Sequence, residues 1–324
     1  MKAKYYRHNI SLSLILIPLL FAACGSAPSI NTQSANAVAL YNSGNEYYKK
    51  GDLDHAIADF TEALRINPNY SRAYFSRGLA YFDKNDFDRA IADYNEAIRI
   101  RPNLAEAYFN RGLAYYEKSD YDRAIADYTM AIRINPNDAE AYNSRGIAYY
   151  IKNDYDRAIT DYTEALRINP NYFNAYGNRG LAYDQKGDYD RAITDYTEAL
   201  RINPNHAETY NNRGLAYYQK GDYDRAITDY TMAIRINPND AEAYFNRGLA
   251  YHDKHDYDRA ITDYTQALRI NPNYFEAYVN RGSVFAEKSD YDSVIADWEE
   301  ALRIDPNNTQ VRYYIEIARQ QRGY

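Results

Sequence analysis

The sequence predicts an all-α fold made of stacked helix–turn–helix units, closed at the C-terminal end by one further helix. Three observations carry this. A glycine recurs at Gly44, Gly78, Gly112, Gly146, Gly180, Gly214, Gly248 and Gly282, each 34 residues from the next, and so fixed a period marks stacked supersecondary units. Within each period the apolar residues fall at helical spacing. Each period also carries a proline near its end, as at Asn135-Pro136, which disfavours helical geometry in the residue before it.

Residues 1–23 stand outside this pattern. Lys2, Lys4 and Arg7 precede an apolar run from Ile10 to Phe21, and Ala22 and Ala23 follow it; this is the pattern of an export signal. The run is shorter than the roughly 18–20 residues a membrane-spanning helix needs. Cys24 is the only cysteine. Leu20-Phe21-Ala22-Ala23-Cys24-Gly25 resembles the bacterial lipobox, with Phe21 where that pattern usually has leucine. The resemblance implies that Cys24 is lipidated and becomes the first residue of the mature chain. Gly25 in place of aspartate then implies sorting to the outer membrane in many Gram-negative bacteria. Residues 24–36, small and polar after the cysteine, are expected to be a flexible tether.

The repeats are assigned to residues 37–70, 71–104, 105–138, 139–172, 173–206, 207–240, 241–274 and 275–308. In the third, Tyr108, Leu113, Tyr115 and Tyr116 mark a first helix, and Ala124, Ile125, Tyr128, Ala131 and Ile132 a second. Asp120 and its counterparts Asp52, Asp86, Asp154, Asp188, Asp222, Asp256 and Asp290 are placed to cap the second helices. Gly112, Ala124 and Ala131 are small enough to let the two helices approach, with Tyr108, Tyr115, Tyr121 and Tyr128 filling the space around them. Most of the 39 tyrosines are thereby scaffold. Residues 309–324 are not a ninth repeat: Val311, Tyr314, Ile315 and Ala318 form one apolar stripe, expected to cap the stack.

These residues identify a known family. Tyr108, Gly112, Tyr115, Ala124, Tyr128, Ala131 and Pro136 reproduce the signature of the tetratricopeptide (TPR) repeat, and residues 37–308 resemble that family throughout. The resemblance implies a right-handed α-solenoid superhelix with first helices lining a concave groove, and a function in holding another molecule. Arg111 departs from it, standing where the family usually has leucine. It recurs as Arg77, Arg145, Arg179, Arg213, Arg247 and Arg281, and its helical phase turns it inward. An inward arginine needs a partner. Asp127 has the matching phase, with Asp93, Asp161 and further counterparts in every repeat, so Arg–Asp pairs are predicted, within a repeat or between neighbours. Ser43 replaces the arginine in the first repeat, which leaves either Asp59 or Asp297 over.

Two rows of groove positions are candidates for ligand contact. One is aromatic in the N-terminal half, at Tyr41, Tyr48, Phe75, Phe82, Phe109, Tyr116 and Tyr150, and mostly non-aromatic beyond it, where Gly177 and Asp184 stand in the fifth repeat. These rings either form an exposed binding patch or pack on neighbouring first helices. The other row is Asn42, Asn110, Asn178, Asn212, Asn246 and Asn280, completed by Ser76 and Ser144. It resembles the asparagine ladder of O-GlcNAc transferases, which would hold the backbone of an extended peptide, although asparagine is also an ordinary occupant of this position. Glu106, Glu140, Glu208, Glu242 and Glu276 edge the groove and favour a neutral or basic ligand. The basic residues with which chaperone-binding relatives clamp a C-terminal carboxylate are absent.

The formal net charge is −7, more negative still without Lys2, Lys4 and Arg7, and this disfavours nucleic acid. No phosphate loop or nucleophile elbow is present. His252 and His255, beside Asp253 and Asp256, are the one histidine pair with ligand-like spacing, but position 255 is a turn position. Neither an enzyme, a cofactor nor a metal site is expected. The sequence thus reads as a bacterial TPR lipoprotein of the cell envelope, a non-catalytic scaffold for a protein or extended peptide. The alternatives are a surface-displayed adhesin and a peptidoglycan or other glycan binder.

Overall fold

The computed structural model describes residues 32–323; the export signal, Cys24 and residues 25–31 of the tether lie outside the described residues. Seventeen helices and no strand occur among them, in two compact units, one ending at Ala175 and the other starting at Tyr176. The first holds α1 (Thr32–Lys49), α2 (Leu53–Ile66), α3 (Ser71–Asp83), α4 (Phe87–Ile100), α5 (Ala105–Glu117), α6 (Tyr121–Ile134), α7 (Ala139–Ile151) and α8 (Tyr155–Ile168). The second holds most of α9 (Phe173–Gln185), then α10 (Tyr189–Ile202), α11 (Ala207–Gln219), α12 (Tyr223–Ile236), α13 (Ala241–Asp253), α14 (Tyr257–Ile270), α15 (Phe275–Glu287), α16 (Tyr291–Ile304) and α17 (Thr309–Arg322). Odd-numbered helices up to α15 are the first helices of the repeats and even-numbered ones the second.

One boundary differs from expectation. Helix α1 begins at Thr32, so residues 32–36, assigned to the tether, are helical. Their small residues include no helix breaker after Pro28, and Ala37, 1% exposed, docks the helix on its neighbours.

Each second helix starts as its aspartate directs. Asp120 accepts from the Arg123 amide at 3.1 Å and from Arg123 Nε at 2.7 Å. The Arg123 guanidinium then lies 4.4 Å from the centre of the Tyr115 ring, so cap, ion pair and cation–π contact share one turn. The turn residue ahead of that cap is left-handed in every repeat: Gly51, Gly187 and Gly221, but also Asn85, Ser119, Asn153, His255 and Ser289 at φ 58–60°. A side chain there is strained.

The period-defining glycines are explained by packing. A Cβ on Gly112 would lie 2.8 Å from the Tyr128 ring, and Tyr128 is fully buried. First and second helices of a repeat therefore meet across a glycine and a ring. Each second helix also packs on the following first helix, as α4 on α5 and α12 on α13. First helices touch the next first helix, α1 to α3, α3 to α5, α11 to α13 and α13 to α15. These contacts set first helices side by side in each unit. Helix α17 buries Val311, Ile315 and Ala318 against α16. Tyr314, assigned to the same stripe, is 38% exposed and lies tilted against Trp298, ring centres 5.6 Å apart.

Candidate binding face

The Arg and Asp side chains sixteen residues apart meet within one repeat. Arg77 donates to both oxygens of Asp93 at 2.8 Å, Arg111 to Asp127 at 2.7 and 2.6 Å, and Arg145 to Asp161 at 2.8 and 2.7 Å. Arg179, Arg213, Arg247 and Arg281 grip Asp195, Asp229, Asp263 and Asp297 in the same way. The remaining guanidinium nitrogen reaches back to the preceding repeat, Arg77 to Thr61 at 2.9 Å, Arg111 to Asn95 at 2.6 Å and Arg145 to Thr129 at 2.9 Å. The carboxylate bond is thus within a repeat and the amide or hydroxyl bond between repeats. Burial pushes the Asp127 carboxyl up, against the pull of the Arg111 fork. A saturated, mostly buried pair of this kind offers nothing to a substrate. Ser43 leaves the first repeat without its arginine, and the buried Oδ2 of Asp59 has no hydrogen-bond partner among the described residues.

The aromatic row packs inward. Tyr41 lies against Phe60 and Tyr70, Phe75 against Tyr94, Phe82 against Phe87 and Phe109 against Tyr128. Tyr116 stands edge-on to Tyr121, and Tyr150 is 5% exposed against Tyr155. Phe82, Phe109 and Tyr116 belong to the core around Leu113 and Tyr128. Tyr48 is half-buried and its hydroxyl donates to Asp83 at 2.6 Å. Tyr41, Phe75 and Phe109 thus lie on the aromatic residue that faces the glycine of their repeat, while Tyr48, Phe82 and Tyr116 stay half-buried.

The asparagine row divides. Asn110, Asn178 and Asn246 are buried, and Asn110 and Asn280 donate to the carbonyls one turn back, Glu106 and Glu276, at 2.8 and 2.7 Å. Asn246 donates instead to Asn211 Oδ1 at 3.1 Å. Asn212 is half-buried, and its amide nitrogen is buried without a partner among the described residues. The row is therefore not one open ladder.

The second unit contains a cavity of about 370 Å³ on the row of first helices, lined by Leu181 and Asp184 of α9, Tyr196 of α10, Asn211 and Asn212 of α11, and Glu242 of α13 among others. Phe75, Phe109 and Phe245 cover Tyr94, Tyr128 and Tyr264, whereas the fifth repeat has Gly177 at this position, and Tyr196 lines the cavity. Two turns later Asp184 replaces the tyrosine or phenylalanine of the earlier repeats. Burial raises the Asp184 carboxyl to about 6, and its Oδ1 has no partner among the described residues. Sequence reasoning weighed these positions by the rings they carry and so passed over the fifth repeat, which has none. The pair Gly177 and Asp184 was the available signal.

Comparison with known proteins agrees with this architecture. Models described as TPR repeat match residues 44–84, 78–119, 146–187, 182–221 and 214–255, and models described as tetratricopeptide repeat match 105–138 and 241–274, 128–160 and 275–308. No curated protein matches the chain. Among solved structures, MamA is 30% identical over 53% of this chain and 94% of its own, with a TM-score of 0.50. The C-terminal part of a TPR repeat-containing protein from Cytophaga hutchinsonii is 21% identical over 73% of this chain and 97% of its own, TM-score 0.64. YrrB, a TPR protein with an unusual peptide-binding site, is 24% identical over 57% and 95%, TM-score 0.51. The latter two likenesses show the fold alone.

Proposed function

The chain belongs to the tetratricopeptide-repeat family, and from that premise we propose that it is a non-catalytic scaffold holding a protein or extended peptide along its row of first helices. TPR repeats generally mediate protein–protein interaction and are typically non-catalytic. The observation that carries the reading is the cavity in the second unit, which opens on this row and is lined by carboxylate and amide groups. We further propose that the scaffold is tethered at the bacterial cell envelope, on the outer membrane, by a lipid on Cys24. The export signal and the Leu20–Gly25 sequence support this. Glycan stacking is the less favoured alternative, because Tyr41, Phe75 and Phe109 each lie against another ring.

Affinity capture from cell extract tests the scaffold. Glu106→Lys with Glu208→Lys, on first helices, should abolish capture of the partner, and Arg133→Glu, exposed on α6, should leave it intact. Equal capture by all three chains would refute the reading. For the anchor, labelled palmitate should enter the wild-type chain and not Cys24→Ala; no incorporation into wild type would remove the lipid.

A further inference from the structure

We propose that the cavity at α9, α11 and the start of α13 is a subsite for the cationic side chain of a lysine or arginine in an extended peptide. The inference rests on the scaffold reading and gives its ligand a chemistry. The cavity has a size suited to a side chain rather than a folded domain, about 370 Å³. Its carboxylates are Asp184, Glu208, Asp240 and Glu242, with no lysine or arginine among the described lining residues. His206, also in the lining, has its pKa lowered by burial, which disfavours its cationic form.

Two unpartnered atoms give the site its polarity. Asp184 Oδ1 accepts and Asn212 Nδ2 donates, both buried and both without a hydrogen-bond partner among the described residues. Leaving such atoms unpaired costs free energy, so a ligand that supplies a donor and an acceptor together is favoured. A peptide residue with a basic side chain does so: its ammonium or guanidinium donates to Asp184, and a backbone carbonyl accepts from Asn212. Leu181 and Leu215, both in the lining, offer apolar surface to the methylene stem. An acidic or phosphorylated side chain would meet four carboxylates and is excluded. Gly177 carries no ring to lie on Tyr196 as Phe109 lies on Tyr128.

The test is an NMR titration of the full chain with acetyl-Gly-Ser-X-Ser-Gly-amide, X being lysine, arginine, citrulline, norleucine or glutamate. The lysine or arginine peptide should bind at least tenfold tighter than the citrulline and norleucine peptides, and the glutamate peptide weakest. Asp184→Asn should cut the preference about tenfold, and Gly177→Phe should abolish it. Binding without preference for a basic residue, or a preference unchanged in both variants, would overturn the subsite and leave the scaffold reading standing. No binding of any peptide would overturn both. The series on the unaltered chain decides the matter even where a variant folds poorly.

Discussion

Arg111 holds both carboxylate oxygens of Asp127, at 2.7 and 2.6 Å, from the neighbouring helix of the same repeat, while its third nitrogen reaches Asn95 of the repeat before at 2.6 Å. One side chain thus fastens the two helices of a repeat and ties the repeat to its predecessor. Arg111→Leu should therefore cost about 3 kcal/mol, the price of leaving a buried carboxylate alone. Arg111→Leu with Asp127→Leu should recover most of that loss. Urea unfolding midpoints of the three chains decide this, and a double variant as unstable as the single would contradict it.

The first repeat permits the reverse experiment. Asp59 has the same position as Asp127 but faces Ser43, and its Oδ2 is unsatisfied among the described residues. Ser43→Arg should raise stability by about 1 kcal/mol through a charge-assisted pair. Thermal melting reads the gain; an unchanged or lower midpoint would show that Asp59 is better served as it is.

Ser119 at φ 60° and His255 at φ 60° sit where Gly187 sits at φ 74°. Ser119→Gly and His255→Gly should each stabilise the chain by up to about 1 kcal/mol, since glycine adopts this conformation without a Cβ clash. Destabilisation by either change would mean that the side chain contributes more than its strain removes.

Asp184 makes stability depend on pH. Its pKa is raised from 3.8 to about 6 by burial, so the folded chain binds this proton more tightly than the unfolded one. The resulting stabilisation is complete below about pH 4 and is lost as pH rises through 6. Above that the chain carries a buried carboxylate, with Glu208 and the Tyr196 ring in the same cavity and the Tyr230 hydroxyl near enough to feel its charge. Asp184→Asn should be more stable than wild type by about 2 kcal/mol at pH 7.5 and no more stable at pH 4. A difference independent of pH would contradict the assignment.

Much of the fold was legible because each repeat states the same rules again. The 34-residue glycine period, the Asp120-type caps and the inward phase of Arg111 and Asp127 are local patterns with one packing solution. The face of the repeats was less legible. Helical phase placed Phe109 and Tyr150 on the first-helix row, but whether a ring there points outward or lies on Tyr128 depends on the approach of the second helix. That approach is set by Gly112, in another turn of the chain. The cavity stayed hidden because Asp184 and Asn212, which line it, stand at polar-tolerant positions of their helices and break no helical pattern. The helical start at Thr32 escaped notice because small polar residues suit both a tether and a helix, and the docking of Ala37 decides between them.

The scaffold reading is tested most directly by photocrosslinking in living cells, with a photoreactive residue at Gln185, exposed at the cavity edge on α9, and a control at Arg133, exposed on α6. The account predicts that a discrete protein or peptide is trapped from Gln185 and not from Arg133. Trapping from Arg133 alone would place the binding surface on the second helices and contradict the account.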